Sequence, residues 1–278
     1  MIFSIDPGAC VACLACVRVC PTGAVEVQEP LVRIEDGACI RCGLCVPACP
    51  HSAIEVTGEL GRAMAVAARG GGVLILSAEA AAHFYPASPE QVVNACYAAG
   101  FRVVNRGVLG DELVAEEYLK LWREEGWGTL IRSTDPVVVD TIRKEFPELV
   151  PYLAPVTIPA VAEARYLRAL LGETLEIVFA GVCPPAGRPE LDAAITFKDL
   201  DQLFRLRGVS PMAQPDYFQR VPSERRRHLS TAGGLPIAML EEVPYASRRF
   251  KKVRGLKELR SIARAVTVDR LDLGFVDI

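Results

Sequence analysis

The period of the apolar positions changes repeatedly along the chain after residue 56. VLILS (73–77) is a short apolar run with β-branched content and predicts a strand. Ser88-Pro89-Glu90 opens a helix that runs through Ala99, with Ser88 as its cap and Pro89 in the first turn. FRVVNRGV (101–108) reads as a strand and DELVAEEYLKLWREEG (111–126) as an amphipathic helix. GTLIRS (128–133) is a strand and PVVVDTIRKEF (136–146) a helix. Then follow a helix over VAEARYLRALLG (161–172), strands over LEIVFAGV (175–182) and AAIT (193–196), and a helix over FKDLDQLFRLRG (197–208). Strands alternating with helices on this scale predict α/β layers with mostly parallel sheets. Sites in such folds are built in the loops at the carboxyl ends of the strands.

The first 56 residues have a different texture. AVEV (24–27), LVRIE (31–35) and AIEV (53–56) are short strands suited to small hairpins. TGELGRAMAVAARGGG (57–72) reads as a connecting helix ended by glycines. Its Gly70-Gly71-Gly72 run is no phosphate loop, because no Lys-Ser/Thr follows and the next element is a strand. The organisation expected is a small α+β module at 1–58, a linker helix at 59–72 and an α/β domain at 73–278. A chain of 278 residues suits that number of modules.

Composition alters this picture in one place only. A net charge of −3 argues against a general nucleic-acid coat and against a disordered acidic chain. No stretch approaches the roughly 18 uninterrupted apolar residues that a membrane span requires. The N-terminal MIFSIDPGAC has no basic region followed by an apolar run, so no signal peptide is expected and a cytoplasmic location follows. The exception is cysteine. Of ten, eight lie within the first 49 residues, and only Cys96 and Cys183 lie beyond. In a reducing compartment clustered thiols are metal ligands rather than bridges.

Those eight fall in a repeat. GACVACLACVRVCPTGAVEV (8–27) returns as GACIRCGLCVPACPHSAIEV (37–56), and both copies read C-x2-C-x2-C-x3-C-P. This is the spacing of bacterial two-cluster ferredoxins. Three thiolates at three-residue intervals wrap a tight loop around three corners of a cubane, and the fourth crosses to the other cluster. Cys10, Cys13, Cys16 and Cys49 are therefore assigned to one 4Fe-4S cluster, and Cys39, Cys42, Cys45 and Cys20 to a second. Pro21 and Pro50 turn the chain away after each crossing ligand. Zinc sites use two ligands, a long spacer and two more, and fit this pattern poorly. Residues 1–58 thus resemble a bacterial two-cluster ferredoxin with every ligand present.

The remainder resembles the C-terminal domain of the iron-only hydrogenase large subunit. SPEQVVNACYAAGFRVVNRGVLGDELVAEEY and LIRSTDPVVVDTIRKEFPELVPYLAPV carry the likeness up to and through the family's first cluster motif. LEIVFAGVCPPAGRPELDAAITFKDLDQLF carries it through the second. GGLPIAML and LKELRSIARAVTVDRLDLGFVDI approach the third. In catalytic members, the resemblance implies, four cysteines hold a cubane and one bridges to a two-iron site that makes or splits hydrogen. Here Asp135 stands at the cysteine before the first motif's proline, and Thr134 stands at the proton-relaying thiol of many members. Cys183 occupies the second motif's cysteine, but the lysine three residues on falls at Ala186. The sequence stops at Ile278, about where the third motif should begin, so that motif is either lacking or cut off; the relay thiol and the lysine are missing in either case. Thiolates bind iron–sulfur clusters far better than carboxylates do, so these departures argue against hydrogen chemistry.

The expectation is an iron–sulfur electron-transfer or redox-sensing protein whose hydrogenase-like domain has lost its active cluster, leaving Asp135 and Cys183 as a possible vestigial site. Two alternatives are a reductase using the vacated cavity for another substrate, and an iron–sulfur assembly or scaffold protein. Asp135 fits a substitute ligand, but Asp-Pro before an apolar helix is also an ordinary N-cap, and the cap is the favoured reading. Cys183 fits a leftover ligand, a redox-sensing thiol or an inert buried residue, the last favoured. Cys96 reads as core. His51, His83 and His228 lack ligand spacing; His51, next to Pro50, suits a solvated loop or a hydrogen bond near a cluster. The basic segment 220–264, with ERRRH (224–228) and RRFKKVR (248–254), reads as a solvated surface or as a dock for an acidic redox partner. Nothing aromatic is interleaved to stack nucleic-acid bases.

Overall fold

The structure is a computed structural model and describes residues 3–28, 31–40, 42–56, 58–124, 128–182, 184–185, 187–217, 230, 234–241 and 250–278. The cysteine repeat builds two copies of a strand–helix–strand unit. The first is β1 (Phe3–Ile5), α1 (Ala15–Val19) and β2 (Val25–Gln28); the second is β3 (Leu31–Ile34), α2 (Cys45–Ala48) and β4 (Ile54–Val56). Pairing crosses between the copies. β1 runs antiparallel to β4, with Phe3 opposite Val56, and β2 runs antiparallel to β3, with Val25 opposite Ile34. Phe3, Val25, Ile34, Ile40 and Ile54 are buried, together with Cys16 and Cys45.

Beyond the repeat the chain forms α3 (Leu60–Arg69), β5 (Val73–Leu76), α4 (Ala80–His83), α5 (Pro89–Ala98), β6 (Val103–Asn105), α6 (Val108–Arg123), β7 (Leu130–Ile131) and α7 (Pro136–Glu145). A 3-10 helix follows at Pro147–Tyr152. The chain continues through α8 (Pro159–Leu171), β8 (Ile177–Gly181), β9 (Ala193–Thr196), α9 (Phe197–Leu206), α10 (Ile237–Glu241), β10 (Phe250–Lys252), α11 (Gly255–Thr267) and β11 (Phe275–Asp277).

These elements divide into two compact units: Met1–Thr57 with Trp127–Ala154 and Arg248–Ile278, and Gly58–Gly126 with Pro155–Ser247. The second unit contains a parallel four-stranded sheet in the order β6-β5-β8-β9. Alternate residues of β5 serve opposite faces. Leu74 and Leu76 pack with α3, α5 and α9, whereas Val73 and Ile75 pack with Ala164 and Leu167 of α8. A strand covered on both faces has no polar side, which is why VLIL is continuously apolar. The helix of 57–72 contributes Ala63, Val66 and Ala67 to this core. α5 begins with a capping box, in which the Ser88 side chain accepts from the Gln91 N–H and the Gln91 side chain accepts from the Ser88 N–H.

In the first unit a second parallel sheet has the order β10-β11-β7. Its central strand lies at residues 275–277, between strands that begin at 250 and 130. Ile131 and Val276 pack with Val138 and Ile142 of α7 and with Leu259, Ile262 and Val266 of α11. The 73–278 segment thus supplies two parallel sheets.

Candidate metal centre

In each copy of the repeat the C-x2-C-x2-C loop runs directly into a short helix. Ala12 and Leu14 adopt positive φ, 51° and 62°, and Gly43 stands 29 residues after Leu14 with φ 74°. Left-handed residues coil the loop tightly and bring thiols three residues apart to one side. The first loop does this with non-glycine residues, a strained arrangement of the kind found at functional sites.

Two hollows result. One is lined by Cys10, Cys13, Cys16 and Cys49, with His51 at its wall. The other is lined by Cys20, Cys39, Cys42 and Cys45, with Thr22 and Phe3. Each therefore collects three thiols from one run and the trailing thiol of the other. No group of three Cys, His, Asp or Glu side chains among the described residues is placed to hold a single metal ion. A tetrahedral zinc thiolate site would bring its sulfurs to about 3.8 Å of one another.

Hydrogen bonds fix the crossing thiols. The Ala53 N–H donates to Cys49 Sγ at 3.4 Å. Thr22 Oγ1 lies 3.8 Å from Cys20 Sγ and donates to the Ala38 carbonyl at 2.9 Å, so it ties one run to the other. The turn before Cys39 is held by Glu35, whose carbonyl accepts from the N–H groups of Ala38 and Cys39 at 3.2 and 3.0 Å. Lys144, in the last turn of α7, donates from Nζ to the Asp36 carbonyl at 3.1 Å and to the Cys39 carbonyl. Arg18 donates to the Cys13 carbonyl at 3.3 Å from an exposed position.

The thiols are poor anions where they lie deepest. Burial, and then the charge of Cys42, push the Cys45 thiol up to about 11; Cys39 and Cys16 add to the rise. Burial also raises Cys16, as do Cys10 and Cys13, against backbone hydrogen bonds. At Cys20 burial acts upward too, but hydrogen bonds from the Thr22, Val25 and Ala24 backbone hold it below an ordinary thiol. Four thiolates around one hollow repel each other unless positive charge lies between them.

The other sequence candidates lie elsewhere. Asp135 is the N-cap of α7, and its Oδ1 accepts from the N–H groups of Val137 and Val138 at 2.8 and 3.4 Å. Beside it, Arg132 donates to Thr134 Oγ1 at 3.1 Å and to Asp277 Oδ1 at 3.0 Å. Arg132, Thr134 and Asp277 occupy the carboxyl ends of β7 and β11, with Thr134 and Asp277 buried. Cys183, Ala186 and His228 lie outside the described residues. So do ERRRH and the two leading arginines of RRFKKVR; of the basic segment's described cations, Lys251, Lys252, Arg254, Lys257, Arg260 and Arg264 are exposed. Cys96 is fully buried in α5, and that burial holds its thiol well above the ordinary range. His51 is exposed, and His83 meets Phe84 edge-on and Phe197 at a tilt, with ring centroids 4.8 and 5.2 Å away.

Sequence reasoning missed Thr22, Lys144 and Glu163. A hydroxyl two residues after the last cysteine of a run is a usable signal for Thr22. Nothing local marks Lys144, which is 105 residues from Cys39. Glu163 was detectable: Ala160, Ala164 and Leu167 define the buried stripe of α8, and residue 163 lies on it.

A family model for the iron only hydrogenase large subunit, C-terminal domain, matches residues 73–276. The chain belongs to this family. Ahead of its hydrogenase-like region, residues 2–50 match a 4Fe-4S dicluster domain. Solved structures share the fold of this family member. An FeFe hydrogenase described for stepwise H-cluster assembly has a TM-score of 0.56 at 16% identity, covering 80% of this chain and 81% of that one. One described for oxygen inactivation through its 2Fe subcluster has a TM-score of 0.52 at 15% identity, covering 80% and 82%. An apo FeFe-hydrogenase variant from Chlamydomonas reinhardtii has a TM-score of 0.52 at 16% identity, covering 80% and 81%. No curated protein matches the chain. No helix among the described residues is long and apolar enough to cross a membrane. The iron–sulfur and hydrogenase-like regions together support a redox or electron-transfer role.

Proposed function

We propose that this chain is an electron-transfer or redox-sensing protein carrying two 4Fe-4S clusters, with a hydrogenase-like region that no longer makes or splits hydrogen. Cys10, Cys13, Cys16 and Cys49 would hold one cluster, and Cys39, Cys42, Cys45 and Cys20 the other. The supporting observation is the pair of hollows, each ringed by three thiols of one run and the last thiol of its partner. Thiols set around a hollow suit a multi-atom cluster better than a single ion. The chemistry of the donors agrees, because a cationic core would offset both the burial that raises Cys45 and the lesser repulsion from Cys42. Such clusters supply one-electron transfer. The protein's part is to exclude water with Phe3, Ile40 and Ile54 and to steady the sulfurs through Thr22 and the Ala53 N–H. Clustered ligand thiols of this kind need a reducing compartment, so we place the protein in the cytoplasm.

Loss of hydrogen chemistry rests on Asp135. Its carboxylate is engaged with the first turn of α7, and an Arg132–Asp277 ion pair stands beside it where the family's first cluster motif falls. The exposed cations from Lys251 to Arg264 form the described part of a docking surface for an acidic redox partner.

Anaerobically purified protein is expected to contain about eight iron and eight sulfide per chain. About twelve would restore a third cubane. Zinc in place of iron would overturn the cluster reading, and carbonyl and cyanide infrared bands would overturn the loss of hydrogen chemistry. Cys183→Ser is expected to leave the iron content unchanged.

A further inference from the structure

The two thiol sets are near copies in sequence, yet their surroundings differ. A lysine in the last turn of a helix ordinarily faces its own helix's free carbonyls. Lys144 instead turns to the Asp36–Cys39 turn and takes the carbonyls of Asp36 and Cys39. That turn is pinned on its other side by the Thr22 hydroxyl on the Ala38 carbonyl. Three carbonyls of four consecutive residues are thus engaged, two of them by one ammonium group. The first copy has its own cation, Arg18 on the Cys13 carbonyl, but Arg18 is exposed whereas Lys144 is half-buried. Water and salt screen an exposed charge far more than a half-buried one.

We propose that Lys144 is a positioning residue for the centre bounded by Cys20, Cys39, Cys42 and Cys45, fixing its entry turn to α7 and holding it at a higher reduction potential than the neighbouring centre. This rests on the two-cluster reading above. Reduction adds negative charge to a cluster, and a nearby fixed positive charge favours the reduced form. The pair of centres is therefore polarised. Given a low-potential one-electron donor, the added electron resides on the centre beside α7.

The test is a mediated redox titration of the full-length protein, followed by electron paramagnetic resonance, with both midpoints measured on the clusters actually present. Lys144→Met is expected to move one midpoint to a more negative value and leave the other in place. Lys144→Arg, which keeps the charge, is expected to restore it. Arg18→Met is expected to move the other midpoint, and by less. A purely structural Lys144 would lower iron content or stability without moving a midpoint. Unchanged midpoints in Lys144→Met, or equal shifts of both, would overturn the proposal while leaving the clusters intact. Wild-type protein without iron would overturn the underlying reading instead.

Discussion

Glu163 is wholly buried in α8, with one oxygen accepting from the Gly110 N–H at 2.9 Å and Oε1 without a partner among the described residues. Burial, with a smaller push from Asp111, raises its pKa to about 7 from an ordinary 4.5, against the Gly110 hydrogen bond. The folded protein then binds more protons than the unfolded chain between those two values. Stability should fall as pH rises through this window, by roughly 3 kcal/mol in total. Glu163→Gln should flatten that slope, as read from urea unfolding at pH 5 and pH 7.5. Asp135 offers a second test at this scale. Asp135→Ala should lower stability by about 1 kcal/mol through loss of the α7 cap, Asp135→Asn should retain it, and neither should change the iron content. An iron loss would make the residue a ligand.

At the scale of elements, sequence signals worked where the relevant chemistry was local. Ser88 and Pro89 announce the start of α5, and Asp135-Pro136 announces α7. The start of α6 was placed at Asp111, yet it begins at Val108, because its cap is Gly107 in the left-handed region with no side-chain hydrogen bond to signal it. α6 also shows why one glycine is required. A Cβ at Gly110 would lie 2.3 Å from the Pro159 carbonyl oxygen, so α6 and α8 could not approach as they do. β7 was expected over GTLIRS but spans two residues. It is held by pairing with β11 and by the ion pair of Arg132 and Asp277, whose side chains are 13% and 9% exposed. Asp277→Ala removes the carboxylate paired with that guanidinium, which keeps its bond to Thr134 Oγ1, and should destabilise the first unit by about 1.5–3 kcal/mol in chemical denaturation.

For the whole molecule, partner binding is the property to measure. Charge reversal at Lys257, Arg260 and Arg264, all exposed on α11, should slow association with an acidic redox partner. It should also weaken the salt dependence of the rate, as followed by stopped-flow electron transfer. Unchanged kinetics would remove α11 from the docking surface.

What the sequence alone determined is the chemistry that depends on spacing along the chain. Three-residue intervals between thiols, a trailing Cys-Pro and a 29-residue repeat are legible in the sequence itself, and they are what the proposed two-cluster assignment is built on. Alternating apolar runs sufficed to anticipate the parallel α/β region. Tertiary structure decided what depends on distant neighbours. It sorted the strands of 73–278 into two sheets, inserted β11 between β10 and β7, and gave α3 a place in a core. It also brought Lys144 to the Cys39 turn and paired Arg132 with Asp277 across 145 residues. The order in which parallel strands pair and the long-range ion pairs leave no periodic trace in sequence, since those partners are chosen by packing rather than by chain connectivity.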